Sequence, residues 1–226
     1  MVRVLPVLFN TDMVQAILDG RKGATRRVVK YKYSNTEMKM RTDKYGTRLI
    51  EIQKDIEGET HGKNPDGSTW RKLLPYIERN PPCRKGDILY VRETWCTGYN
   101  GEAHFYRADK NTERASKLID YDKCRWRPSI HMPKAAARIW LKVTGVRVER
   151  LQDMALGDFL REGVTIRPEA YNDPDNAYGQ ARDNFIAIWD STISRQDNGR
   201  YGWEANPWVW VIGFERCGKP ELRLEA

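Results

Sequence analysis

PPCRKGDILYVRETW, residues 81–95, is the stretch on which the reading of the fold turns. Pro81 and Pro82 end whatever precedes them, because proline removes a backbone donor and biases its predecessor away from helix. Arg84-Lys85-Gly86-Asp87 then reads as a turn, and Ile88-Leu89-Tyr90-Val91 as a short strand. Arg92, Glu93, Thr94 and Trp95 place charge and an aromatic ring at its far end. Strand side chains alternate between faces, so Glu93 lies on the side of Val91 and Trp95, with Arg92 opposite. If that face is the interior, Glu93 needs a cation there, and Arg26, Arg27 and Arg138 are the candidates. Such a strand end can wall a pocket or form the ion-paired rim of a barrel.

Towards the N-terminus, residues 2–9 are apolar and β-branched and predict a first strand. Asn10 or Thr11 can cap a helix whose apolar stripe is Met13, Val14, Ile17 and Leu18, and Gly20 stops it. A cationic run, Arg21-Lys22-Gly23-Ala24-Thr25-Arg26-Arg27, follows at once, and Val28-Val29 resumes a strand. Residues 31–80 are polar and broken by Gly46, Gly58, Gly62, Pro65 and Gly67, with one alternating strand at Tyr45–Ile52. This segment reads as a large polar insertion, with residues 61–69 as an exposed loop.

Beyond the central stretch, residues 103–109 predict a strand, residues 111–121 a short helix or loop, and Trp126–Lys134 a stiff loop between prolines that holds Trp126, Ser129 and His131. Ile139–Arg147 alternates as a long strand, and Leu151–Gly163 has apolar residues at helix spacing with a glycine stop. Residues 165–180, with Pro168 and Pro174, read as a second polar insertion. Ala181–Ile193 is the strongest helix, and Trp208–Phe214 is a closing strand with bulk on both faces, hence central and covered. Well-separated strands joined by short helices argue for one domain over residues 1–226. Its expected class is mostly β (α+β), a β-barrel with peripheral helices.

Lys and Arg number 39 against 31 Asp and Glu, a formal charge of +8 over 226 residues. That balance favours a polyanionic partner, RNA, DNA or a nucleotide, over a purely neutral one. No secretory leader or membrane-length apolar run is present, so the expectation is a cytoplasmic protein with no membrane partner. Cys83, Cys96, Cys124 and Cys217 are irregularly spaced and are expected as thiols there, with no close pair to anchor a metal. Nucleotide-loop, zincin and serine-hydrolase motifs are absent, so neither cofactor nor metal is expected.

Ile17–Arg27, Gly86–Trp95, Leu151–Gly163 and the Trp208–Phe214 strand together resemble the ASCH family of the PUA-like superfamily. Trp126–Met132 and Tyr201–Trp210 look like the version common in phages and prophages, which would place the chain in a bacterial host cytoplasm. The resemblance covers nearly the whole chain, residues 31–80 and 165–180 least. It implies a PUA-like β-barrel that handles RNA, nucleosides or modified bases. One branch of that family hydrolyses the amide of N4-acetylcytidine with a lysine, a threonine three residues on, and a glutamate near the end of a later helix. Carried over, these fall on Lys22, Thr25 and Glu162. A desolvated lysine can act as base toward a threonine hydroxyl, with the carboxylate orienting it.

Three readings follow. In the first, a cationic cleft recognises RNA, DNA or a modified nucleoside through Arg21, Arg26, Arg27, Glu93 and Ser129, with Trp95 and Trp126 as stacking surfaces. In the second, Lys22, Thr25 and Glu162 hydrolyse N4-acetylcytidine or a related modified nucleoside, or cleave RNA, with Glu93 supporting them. In the third, the chain is a non-catalytic phage structural or interaction protein.

Overall fold

The computed structural model describes residues 2–33, 36–44, 46–53, 60–63, 69–72, 77–98, 103–109 and 125–220. Along the chain come β1 (Val4–Leu8), α1 (Thr11–Leu18), β2 (Ala24–Val28), β3 (Thr36–Asp43), β4 (Gly46–Gln53), β5 (Thr60–Lys63), β6 (Thr69–Lys72), β7 (Ile77–Glu78) and β8 (Ile88–Arg92). After them come β9 (Trp95–Thr97), β10 (His104–Tyr106), β11 (Trp140–Arg150), α2 (Leu156–Arg161), α3 (Pro174–Ser191), α4 (Asn198–Tyr201) and β12 (Trp208–Cys217), with 3-10 turns between several of them.

The centre is a five-stranded sheet in the order β1-β8-β11-β12-β2. β1 and β8 run parallel, and every other neighbouring pair is antiparallel. The expected β-barrel does not form. β1 and β2 are the two ends of an open sheet, and the remaining strands make separate small sheets, β3-β4-β7, β5-β6 and β9-β10. The architecture is therefore mixed α/β with several sheets. The physical reason lies where the two ends meet. Arg27 of β2 reaches the end of β1 through its side chain, donating from Nη2 to the Leu8 carbonyl at 2.6 Å. Pro6 in the middle of β1 has no N–H to offer a ladder on that edge.

The closing strand is central, as its two bulky faces imply. β12 pairs with β11 from Trp208↔Arg150 to Cys217↔Trp140 and with β2 from Val209↔Val28 to Gly213↔Ala24. Period-two alternation sends its residues to opposite sides. Ile212 and Phe214 pack with Val14 and Ile17 of α1, whereas Val209 and Val211 pack with Phe159, Phe185, Trp189 and Trp203 under α2 and α3.

Two polar segments differ from expectation. α3 begins at Pro174, inside the segment read as an insertion loop, because that proline is the first helical residue. There its missing N–H costs nothing, and Asp173 caps the Asp175 and Asn176 amides. Residues 61–63 and Thr69, the two ends of the expected exposed loop, belong instead to antiparallel strands 60–63 and 69–72. The expected helix or loop at 111–121 lies outside the described residues. Cys83 and Cys217 are thiols, but Cys96 is disulfide-bonded, which corrects the expectation of four thiols. Among the described residues no helix is long and apolar enough to cross a membrane.

The turn at 84–87 fixes the parallel pairing. Asp87 is buried and accepts from the Arg84 amide at 2.8 Å, the Arg3 amide at 3.1 Å and the Arg3 guanidinium at 3.0 and 2.5 Å. This one carboxylate ties the chain entering β1 to the chain entering β8. Burial opposes its charged form, but these hydrogen bonds prevail and hold its pKa below the ordinary value. Glu51 of β4 behaves alike: burial is outweighed by hydrogen bonds from Thr36 Oγ1 and the Lys32 and Tyr33 amides. For carboxylates depressed in the folded state, the stabilisation is complete above the unfolded pKa, about 4, and is lost as pH falls through the folded value. Urea denaturation should therefore show wild-type stability falling below about pH 4. Asp87→Ala should cost about 1–3 kcal/mol at neutral pH by stranding its donors, and the variant should show a shallower acid decline.

Candidate functional site

α1 delivers the cationic run to the interior. Asn10 caps it through a bond from the Met13 amide at 2.9 Å, and Gly20, at φ +75°, turns the chain in the left-handed conformation. The Arg21 and Lys22 amides both fold back onto the Ala16 carbonyl at 2.9 Å. Gly23 is then stitched between α2 and β12, donating to the Arg161 carbonyl and accepting from the Phe214 amide, both at 2.9 Å. Lys22 thereby faces the end of α2, and its amine is fully enclosed.

Lys22 Nζ donates to Glu162 twice, to Oε2 at 2.6 Å and to the backbone carbonyl at 2.8 Å. Glu162 Oε1 accepts from Arg26 Nη1 at 3.2 Å. Arg26, equally buried, also meets Glu149 at 2.6 Å and Asp158 at 3.2 Å. The close approach depends on Gly163. Its φ is +93°, and a Cβ there would stand 2.8 Å from Ala16 Cβ and 3.2 Å from Lys22 Cβ. Burial lowers the Lys22 pKa. Glu162 opposes that by charge and hydrogen bond, and Arg27 and Arg26 add to the lowering. Arg26 goes the other way, because its carboxylate neighbours, Glu162 foremost, outweigh burial. Burial also lowers Arg27, against Glu162.

This network borders a cavity of about 290 Å³. Its polar wall includes Thr25, Arg26, Arg27 and Glu162, and its apolar wall is α3, with Phe185, Ile188 and Trp189. Asn10, Asp12 and Met13 of α1 close another side. Among the described residues, no group of three or more His, Cys, Asp or Glu side chains is placed to hold a metal ion.

The chain has no match among protein-family models, curated proteins or solved structures.

Of the residues singled out by sequence, Lys22, Thr25, Arg26, Arg27 and Glu162 come together here. Arg21 does not line the cavity and is tied instead to Asp19 at 2.9 Å and to the Gly163 carbonyl at 2.8 Å. Glu93, Trp95, Trp126 and Ser129 belong elsewhere, and none lines the cavity. Glu93 is buried, with both oxygens held at 3.0 Å by Arg138, one of its three anticipated partners. Burial raises the Glu93 pKa, against the pull of Arg138. Trp95 is buried too, packed with Met132 and Trp140, and the Arg127 guanidinium covers it 5.3 Å from the ring centroid. A base could not stack on a face so enclosed. Trp126 and Ser129 are half-buried, with Ser129 opening a 3-10 turn. Sequence reasoning missed Glu149 and Asp158, which look like ordinary surface acids along the chain. Only the pairing of β11 with β12 and the start of α2 bring them to Arg26.

Removing one partner of a buried pair strands the other. Glu162→Ala should therefore destabilise the protein by about 3–5 kcal/mol in urea titrations, since Lys22 keeps no carboxylate. Lys22→Met should cost less, because Arg26 still answers Glu162 and the methionine fills the lysine's apolar channel.

Proposed function

We propose that the chain is a hydrolase that removes an N-acyl group from a nucleobase held in this cavity, N4-acetylcytidine being the reference substrate. The observation that carries the reading is the enclosed Lys22–Glu162 pair, whose carboxylate residue lines a cavity together with Thr25. A volume near 290 Å³ suits a single base or nucleoside more than a folded polymer. The arginines support the same scale. Arg21 and Arg26 are committed to carboxylates, so the cationic run offers little free charge to a polyanion's backbone.

In this reading Lys22, as the neutral amine, takes the Thr25 hydroxyl proton as the oxygen attacks the acyl carbonyl. Burial lowers the Lys22 pKa in the direction a base requires. Arg27 answers the negative charge that develops on the carbonyl oxygen. The C–N bond then breaks, the leaving exocyclic amine recovers the proton from Lys22, and the acyl group remains as a Thr25 ester. Water hydrolyses that ester to the free acid and restores the hydroxyl. Glu162 positions the lysine through two hydrogen bonds and balances its charge when it is protonated.

A second reading keeps the ligand and drops the turnover. Its motive is that Lys22 does not itself line the cavity and that both hydrogen bonds of its amine go to Glu162. Steady-state turnover of N4-acetylcytidine by chromatography separates the two. The hydrolase reading expects deacetylation by the wild type, with kcat reduced by about a hundredfold or more in Lys22→Met and Thr25→Val. A folded wild type that binds cytidine derivatives and cleaves none of them would overturn hydrolysis and leave recognition standing.

A further inference from the structure

The open seam of the central sheet contains a second cavity, of about 310 Å³. Leu5, Pro6 and Leu8 of β1 form one wall, and Arg27, Cys83 and Arg92 contribute polar groups. Arg27 borders both cavities. It is held over the Phe9 ring, 5.3 Å from the centroid, and donates to the Leu8 carbonyl. Arg92, at the end of β8, donates from Nε to the Met132 carbonyl at 2.9 Å and from Nη2 to the Ile130 carbonyl. A guanidinium carries five N–H donors, so both side chains retain unused ones.

Neither arginine has a carboxylate within ion-pair distance among the described residues, and none of the cavity's lining residues is acidic. Elsewhere in this fold the buried Arg26 is neutralised by three carboxylates and the half-buried Arg138 by two. Two cations with no ion-pair partner among the described residues, Arg27 feeling Glu162 only at longer range, favour an anion with several acceptor oxygens in one apolar-walled cavity. Cys83 brings no negative charge, since burial, with Asp87 nearby, pushes its thiol up to about 11. An added peptide strand is the poorer occupant, because Pro6 interrupts the donors of the β1 edge.

We propose that the seam cavity is a phosphate subsite, Arg27 and Arg92 binding the phosphate of a nucleotide whose base occupies the cavity on the other side of Arg27. The inference rests on the base-binding reading above and narrows its substrate from a nucleoside to a phosphorylated one, either a free nucleotide or a nucleic-acid end. Arg27 lines both cavities, so one guanidinium lies beside both the base and its phosphate in this proposal.

The test compares N4-acetylcytidine, its 5′-monophosphate and a trinucleotide carrying the acetylated base, by kcat/KM and by calorimetric binding of cytidine and cytidine 5′-monophosphate. The phosphate should raise kcat/KM and affinity by about ten- to a hundredfold in the wild type. Arg92→Gln should collapse that ratio. Inorganic phosphate should inhibit the wild type competitively against the monophosphate, a readout that needs no variant to fold. A trinucleotide preferred over the monophosphate identifies a nucleic-acid end as the source, and the reverse identifies a free nucleotide. Equal kinetics and equal affinity with and without the phosphate would overturn the subsite while leaving hydrolysis intact. If no substrate is cleaved but the monophosphate still binds more tightly through Arg92, hydrolysis fails and the subsite stands.

Discussion

The bond between Lys22 and Glu162 is the constraint around which this part of the molecule is arranged. Two opposite charges removed from water are a net liability unless their remaining donors and acceptors are also met. Here the lysine amine takes two oxygens of one residue, and the second carboxylate oxygen goes to Arg26, which is itself held by Glu149 and Asp158. Local backbone follows from this. The turn after α1 brings Lys22 inward, and α2 ends where its last residues can meet it. Gly163 sits where any side chain would collide with Ala16. An interaction with so many dependents specifies one arrangement of α1, α2, β2 and β11. That is a different property from adding net stability.

Much of the architecture was legible from local pattern. The turn at 84–87, the strand after it, the capped helix after Asn10 and the covered closing strand each have a short-range cause in turn chemistry or periodicity. The pairing of Lys22 with Glu162 came from resemblance, since nothing in the intervening chain links them. The sheet's failure to close was not legible. Strand count and spacing are the same for a barrel and for a curled open sheet, and the difference rests on whether two edge strands meet by backbone or by side chain. Here Arg27 makes the connection to Leu8. Pro174 misled for a related reason: a proline breaks a helix interior but suits its first residue, and only the capping Asp173 tells the two cases apart.

The residues expected to serve one site divide between two environments, and burial explains the division. Glu93 and Trp95 are both buried, but the chain leaves β8 after Arg92. Trp95 packs with Ile88 and Tyr90, across the strand from Val91, so the shared face expected of the three does not form. Their surroundings are filled by Met132, Trp140 and the Arg138 guanidinium. Charged and aromatic residues in sequence proximity therefore became a packed corner. The open volume lies instead against α3, a helix whose aromatic face had the appearance of simple core.

The parallel pairing of β1 with β8 bears on how the chain reaches this state. Val4 finds its partner only at Ile88, and β2 finds its own in residues 209–213. Both strands that flank the seam precede their partners in the chain and wait for segments made much later. Loop closure over such separations is an entropic cost met before any contact rewards it. α1 and the residues leading into β2 are therefore synthesised before the sheet that receives them can exist, and a helix of eight residues has little stability without it. The buried environment of Lys22 and Arg26 cannot be complete until β11, α2 and β12, which supply Glu149, Asp158, Glu162 and the strand beside β2, have been made. Desolvation of the site is thus a late event in folding, coupled to the docking of the last strand.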